Sequence, residues 1–203
     1  MISPLAHVLA LLAAGQGIGT GFIVLIVVAV LLLLWATGLY NALVRRRNHV
    51  DESWGDIETE LKRRHNLIPN LVETVKGYAA HEKDTLENVV QARNAAAAPH
   101  ASPQAQAQDE NLLSGALRQL FALSERYPDL KANQNFLELQ QELTNTEDRV
   151  QRARRFYNAN VRDLNTRIEV FPSNIVAGMF GFERRDYFEI EDEAERKVPE
   201  VKF

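Results

Sequence analysis

The feature that most limits what this chain can become is an apolar run from Ile18 to Val44, ended by Arg45-Arg46-Arg47. No Lys, Arg, Asp or Glu occurs from Met1 to Val44, and Phe22 to Trp35 reads FIVLIVVAVLLLLW. Roughly 20 predominantly apolar residues suffice for a helix to cross the hydrocarbon core of a bilayer. Residues 18–44 are therefore expected to form a transmembrane helix. Basic residues after such a span tend to stay on the cytoplasmic side, which places the N-terminus outside and the rest of the chain in the cytoplasm. A cleaved signal peptide would open with positive charge, carry a short apolar core and end at a small-residue site, and this run has none of these. Trp35 and Tyr40 lie toward the arginine end, where aromatic rings favour the headgroup level.

Ahead of the run, Ser3-Pro4, LAHVLALLAA and Gly15 have the pattern of an N-cap, a proline at the first helical position and a glycine stop. Residues 1–17 are thus read either as a short apolar helix outside the membrane, hinged to the span through Gly15, Gly17, Gly19 and Gly21, or as a disordered tail. Gly17 and Gly21 also fit a small-xxx-small packing pattern.

The body after Arg47 is charged. The chain of 203 residues carries a net charge of -4, which gives no support to nucleic-acid binding. Without cysteine, disulfides and thiolate chemistry are excluded. From Asn48 to about Ala97 only Gly55, Pro69 and Gly77 argue against helix. Val50, Trp54, Ile57, Leu61, Arg64, Ile68, Leu71, Val75, Tyr78, Glu82, Leu86, Val89 and Arg93 alternate three- and four-residue steps, a coiled-coil-like seam. One long helix is expected, kinked or broken near Pro69. A linker rich in Ala, Pro and Gln is expected over residues 95–109. A second helix presents Leu113, Ala116, Leu117, Leu120, Phe121 and Leu123 and stops near Pro128. A third keeps the seam from Phe136 through Leu143, Val150, Tyr157 and Leu164 to Phe171. Ser173 caps a short apolar helix, NIVAGMF, expected to cover one end of the bundle or, less simply, to touch the membrane. The end, residues 181–203, is acidic and extended, lying along the bundle or mobile.

The fold class is accordingly all-α: one N-terminal transmembrane helix, then an elongated antiparallel up-down bundle over residues 45–180. In this picture the short second helix lies against a long antiparallel pair.

LYNALVRRRNHV (39–50), LKRRHNLIPNLVETVKGYAAHE (61–82), ARNAA (92–96), FALSERYPDLKANQNFLELQQEL (121–143), ARRFYNANVRDLN (153–165), FPSN (171–174), GFERRDYFE (181–189) and the closing VPEVKF occur in order. On these stretches the chain resembles the LemA family of bacterial membrane proteins. The resemblance implies a membrane helix and a cytoplasmic all-α bundle, and it brings no catalytic residue with it; the expected location is the inner membrane.

The residues themselves offer little chemistry. His49, His65 and His81 are 16 apart, which on a helix turns each by about 160° from the last, and His7 and His100 add no ligand spacing. His81-Glu82 begins like a zincin motif, but Thr85 stands where the second histidine belongs. There is no GxSxG, SxxK or glycine-rich phosphate loop. Glu58 with Lys62, and Glu138 with Glu142, have the spacing of ordinary surface charge. No catalytic, cofactor or metal site is assigned.

Lys62-Arg63-Arg64 leaves two readings open. If Arg64 occupies the seam, its guanidinium needs a buried partner, Glu147 or Asp148 on the third helix, and the pair fixes the register. If Pro69 turns the helix, the cluster is an outward binding face. The expected role is a self-associating, membrane-anchored scaffold, in contact with the bilayer through residues 18–44 and with other membrane proteins. Membrane remodelling is the alternative.

Overall fold

The structure is a computed structural model that describes residues 4–189, with side chains from Gly21 onward. The proposed Ser3 cap and the acidic stretch from Ile190 lie outside the described residues. All regular elements among the described residues are helices: α1 (Pro4–Lys76), α2 (Lys83–Ala96), α3 (Pro103–Ser124), α4 (Pro128–Lys131), α5 (Gln134–Glu169) and α6 (Ser173–Met179). They are distributed over two compact units. One contains the chain up to Arg45 and Arg167–Glu183; the other contains Arg46–Thr166 and the stretch that begins at Arg184.

α1 corrects the sequence reading at both of its ends. It runs from Pro4 without interruption, so Gly15, Gly17, Gly19 and Gly21 form no hinge. The helical ladder, which satisfies the backbone groups internally, continues through all four glycines. At the other end the expected helix from Asn48 to Ala97 is two helices. Pro69 stays inside α1, and the chain turns only after Lys76. Ile68 and Leu71 on either side of the proline are fully buried, and their burial outweighs the lost hydrogen bond. The turn begins at Gly77, a poor helix former. Ala79 N–H donates to Val75 O at 2.8 Å, and α2 starts after Glu82. Folding back here lets Leu86, Val89 and Ala96 join Ile68, Leu71 and Val75 in one core.

The linker is also shorter than expected. α3 begins at Pro103, and the Ser102 hydroxyl accepts from Ala105 N–H at 3.2 Å. Ser102-Pro103 is therefore an N-cap followed by proline at the first helical position, a start signal within the stretch read as linker. Pro128 likewise opens a helix, the single turn α4. α5 buries Phe136, Leu143, Val150, Tyr157 and Leu164 of the predicted seam and Val161 and Asn165 besides, while Phe171 lies beyond its end and is exposed.

The unit from Arg46 onward is a four-helix arrangement rather than a long pair with a third helix laid on it. Arg93 Nε donates to His65 O, Glu82 meets Arg126 and Tyr127, and Phe121 packs on Phe136 with ring centroids 6.2 Å apart. Arg64 of α1 meets Glu147 of α5, while Asn160 donates to His49 O, so α1 and α5 are antiparallel. The last described residues lie on α5. Asn165 exchanges two hydrogen bonds with the main chain of Arg185, and Asn158 does the same with Phe188. Seven helical residues rise about 10.5 Å and three extended residues about 10 Å, so the two asparagines match the extended strand's own repeat. Phe188 is fully buried, its ring 5.4 Å from Trp54, which also packs on Tyr157.

In the other unit, the α1 side chains from Phe22 to Trp35 are exposed along their whole length. This is the one stretch among the described residues that is long and apolar enough to cross a membrane. α6 packs beside the end of that stretch: Phe180 lies 4.7 Å and Phe182 5.8 Å, centroid to centroid, from Tyr40. Ser173 is the first residue of α6 and not its cap; its hydroxyl donates to Val170 O. The helix ends at Met179 and the chain turns away at Gly181, where φ is +66°, with Phe182 N–H reaching back to Ala177 O at 3.0 Å. That conformation favours glycine.

Candidate functional site

A buried group of ionisable side chains lies in the core of the four-helix unit. Arg64, on the buried seam of α1, is 3% exposed, and Glu110 of α3 is 0% exposed. Arg64 donates through Nη1 to Glu110 Oε2 at 3.1 Å and through Nη2 to Ser114 Oγ at 2.8 Å, and Nη2 lies 2.9 Å from Glu147 Oε2. The other oxygen of Glu110 accepts from Gln106 Nε2 at 3.2 Å and lies 2.7 Å from His65 Nε2. Gln106 also donates to Ala96 O. A buried carboxylate and a buried guanidinium thus each have several partners, the condition under which charges are tolerated in a core.

The first of the two readings of Arg64 is the one observed: it points inward, and its α5 partner is Glu147. Asp148 is exposed. Lys62 and Arg63 are exposed too, with Arg63 Nε 3.4 Å from Glu142. The basic cluster is therefore divided between core and surface. Glu110 was not singled out in the sequence, although it stands three residues before Leu113 and seven before Leu117, at a seam position where a lone carboxylate calls for a cation.

The remaining singled-out residues do not converge. His49 is exposed beside Glu52, His81 is exposed, and His100 pairs with Asp109 at 2.7 Å. The side chain of His7 lies outside the described residues. Glu58 accepts from Trp54 Nε1, Glu138 from Gln134, and Glu142 faces Arg63, so the two carboxylates of α5 serve different partners. Among the described residues no three His, Asp or Glu gather as a metal ion would require. A cleft of about 540 Å³ beside the network is lined by Trp54, Lys62, His65, Arg93, His100 and Gln106. His65, Arg93 and Gln106 each spend a polar contact on another part of this chain, while the Nδ1 of His100 is buried without a hydrogen-bond partner among the described residues.

One phenol is strongly shifted. Burial pushes Tyr157 up to about 12, with Arg185 opposing and Asp186 and Asp51 adding to the rise. Its hydroxyl donates to Asp186 O at 2.9 Å, so the shift belongs to the docking of the extended segment.

The sequence pattern of the LemA family matches residues 53–203. The chain belongs to the LemA family. It is 29% identical over 143 residues to Protein LemA of Metamycoplasma hominis, covering 69% of this chain and 64% of that protein. It is 26% identical over 175 residues to Magnetosome protein MamQ 2 of Paramagnetospirillum magneticum, covering 74% and 64%. With Magnetosome protein MamQ of Magnetospirillum gryphiswaldense it shares 25% over 174 residues, covering 73% and 64%. The chain thus spans 64% of the length of these relatives. Neither LemA nor MamQ is the name of an enzyme. The apolar N-terminal helix and these relatives fit a membrane-associated protein.

Proposed function

We propose that this LemA-family chain is a non-catalytic, membrane-anchored helical scaffold that associates with itself and with other membrane proteins. The observation that carries the reading is α1. One helix bears both the exposed apolar run at Phe22–Trp35 and the seam, from Val50 to Val75, that enters the four-helix core. An anchor and one wall of a bundle that are continuous in the chain tether the bundle to the bilayer. The buried network supports the non-catalytic part, because the oxygens of Glu110 and the nitrogens of Arg64 are occupied by each other and by their neighbours. Residues 18–44 would span the inner membrane, residues 1–17 would lie outside, and the body to residue 180 with the tail 181–203 would face the cytoplasm, as the arginines at 45–47 favour.

In-cell crosslinking with mass spectrometry tests the reading. Crosslinks between copies, or to another membrane protein, are expected, and deletion of residues 1–17 should weaken the self-crosslink by removing apolar packing surface. A reporter fused behind Phe203 should stay inside the cell. A chain that runs as a single copy under all crosslinking conditions would end the scaffold reading. Tubulation or leakage of liposomes by the chain alone would favour membrane remodelling.

A further inference from the structure

α6 is a short helix with two unlike faces. Ser173, Val176 and Ala177 are buried, while Ile175 and Met179, one turn apart on the opposite side, are exposed. Phe171 and Phe180 extend that exposed side and are 79% and 60% accessible. From Val170 to Phe182 there is no charged residue. Large apolar groups clustered in this way mark a surface that something covers.

Its position along α1 says what. Tyr40, on which Phe180 and Phe182 pack, precedes the first charged residue, Arg45, by about 7–8 Å of helix. The headgroup layer on each side of the hydrocarbon is about 5–8 Å thick. With Arg45 among the phosphates, Tyr40 falls at the boundary between acyl chains and headgroups, the level at which aromatic rings accumulate. The ring contacts hold α6 at that same level, so its uncovered side is continuous with the lipid-facing surface of α1. We propose that Phe171, Ile175, Met179 and Phe180 form a second membrane contact, a foot that lies in the interface of the cytoplasmic leaflet while α1 crosses it. A helix lying in the plane of this boundary buries its apolar face about 5–10 Å into it. The foot rests on the reading of α1 as the membrane span, and it turns a point attachment into a two-point one, which restricts rotation of α1 about its own axis.

Because the chain has no cysteine, single labels can be placed at will. Full-length Phe171→Cys, Ile175→Cys and Met179→Cys variants carry an environment-sensitive fluorophore in lipid nanodiscs that hold one chain each, made with brominated acyl chains. Val28→Cys reports the span and Glu138→Cys the bundle surface. The expected result is strong bromine quenching at residues 28, 171, 175 and 179, several-fold above that at residue 138, with the reverse order for quenching by aqueous iodide. Three foot positions guard against one label disturbing the fold. If residue 28 is quenched by lipid while 171, 175 and 179 are open to iodide, the foot is wrong and the anchor survives. If residue 28 is not quenched, both are wrong. If the foot labels are shielded only when several chains share a bilayer, a second copy covers this face and the lipid contact is overturned.

Discussion

The two regions served by α1 put the same backbone to opposite uses. Between Phe22 and Trp35 the apolar side chains are exposed all round the helix, and none of the described residues covers them. Between Val50 and Val75 apolar residues form one stripe, and that stripe is buried at Val50, Ile57, Leu61, Ile68, Leu71 and Val75. The second region nonetheless encloses two full charges, Arg64 and Glu110, while the first has none at all. A helix that is apolar all round has an apolar solvent; a helix with a stripe must bring its own partner helices. A charge is admitted where polar partners are supplied by those helices, and has no such supply in lipid.

That contrast can be broken most severely from within the bundle. Glu110→Leu leaves Arg64 with only Glu147 and the Ser114 hydroxyl and should cost about 4 kcal/mol in urea unfolding of the detergent-solubilised chain, since removing one partner strands a buried charge. Replacing both members, Arg64→Met with Glu110→Leu, should recover most of that loss. If the double variant is no more stable than the single one, the network supplies more than charge compensation.

The matching test in the span is Leu31→Lys, near the middle of residues 18–44. It should disfavour insertion by about 3 kcal/mol, read as the fraction of chain resisting alkaline extraction from membranes. Glu138→Lys on the bundle surface should leave that fraction unchanged.

Next comes alkali. Tyr157 holds its proton more tightly in the folded chain than the ordinary phenol at 10.0. The stability it contributes is complete below pH 10 and is lost as pH rises from 10 to about 12. Two pH units correspond to about 2–3 kcal/mol. Unfolding followed across that window should show the slope in the parent chain and a shallower one in Tyr157→Phe. Asn165→Ala, which removes both hydrogen bonds to Arg185, should cost about 1–2 kcal/mol and speed hydrogen exchange at residues 185–188. Smallest is Asp51→Asn, which breaks an exposed pair with Arg185 at 3.2 Å and should change stability by less than about 1 kcal/mol.

Much of this could be read in the residues. The apolar run and most of the seams of α1 and α5 follow from periodicity, and the inward Arg64 is one of the two readings that periodicity and Pro69 left open. Glu110 stands in the same periodicity, but a stripe counted by apolar residues alone passes over it. The start of α3 was written in Ser102-Pro103 but hidden by the composition around it. The fold-back at Gly77 is different. The three- and four-residue steps continue in phase through Tyr78 and Glu82, so local pattern favours one straight helix, and only the shared core of Leu86, Val89 and Leu71 decides against it. The docking of the last described segment was equally illegible, since Asn158 and Asn165 look like surface polar residues until an extended strand is laid across them.

Those two asparagines hold main-chain atoms and ignore the identities of the residues between. Such a fastening is indifferent to spelling and sensitive to length. Residues 186 and 187 could be exchanged for many others without loosening it, whereas a single insertion or deletion there would slide Phe188 off Asn158 and out of its slot beside Trp54.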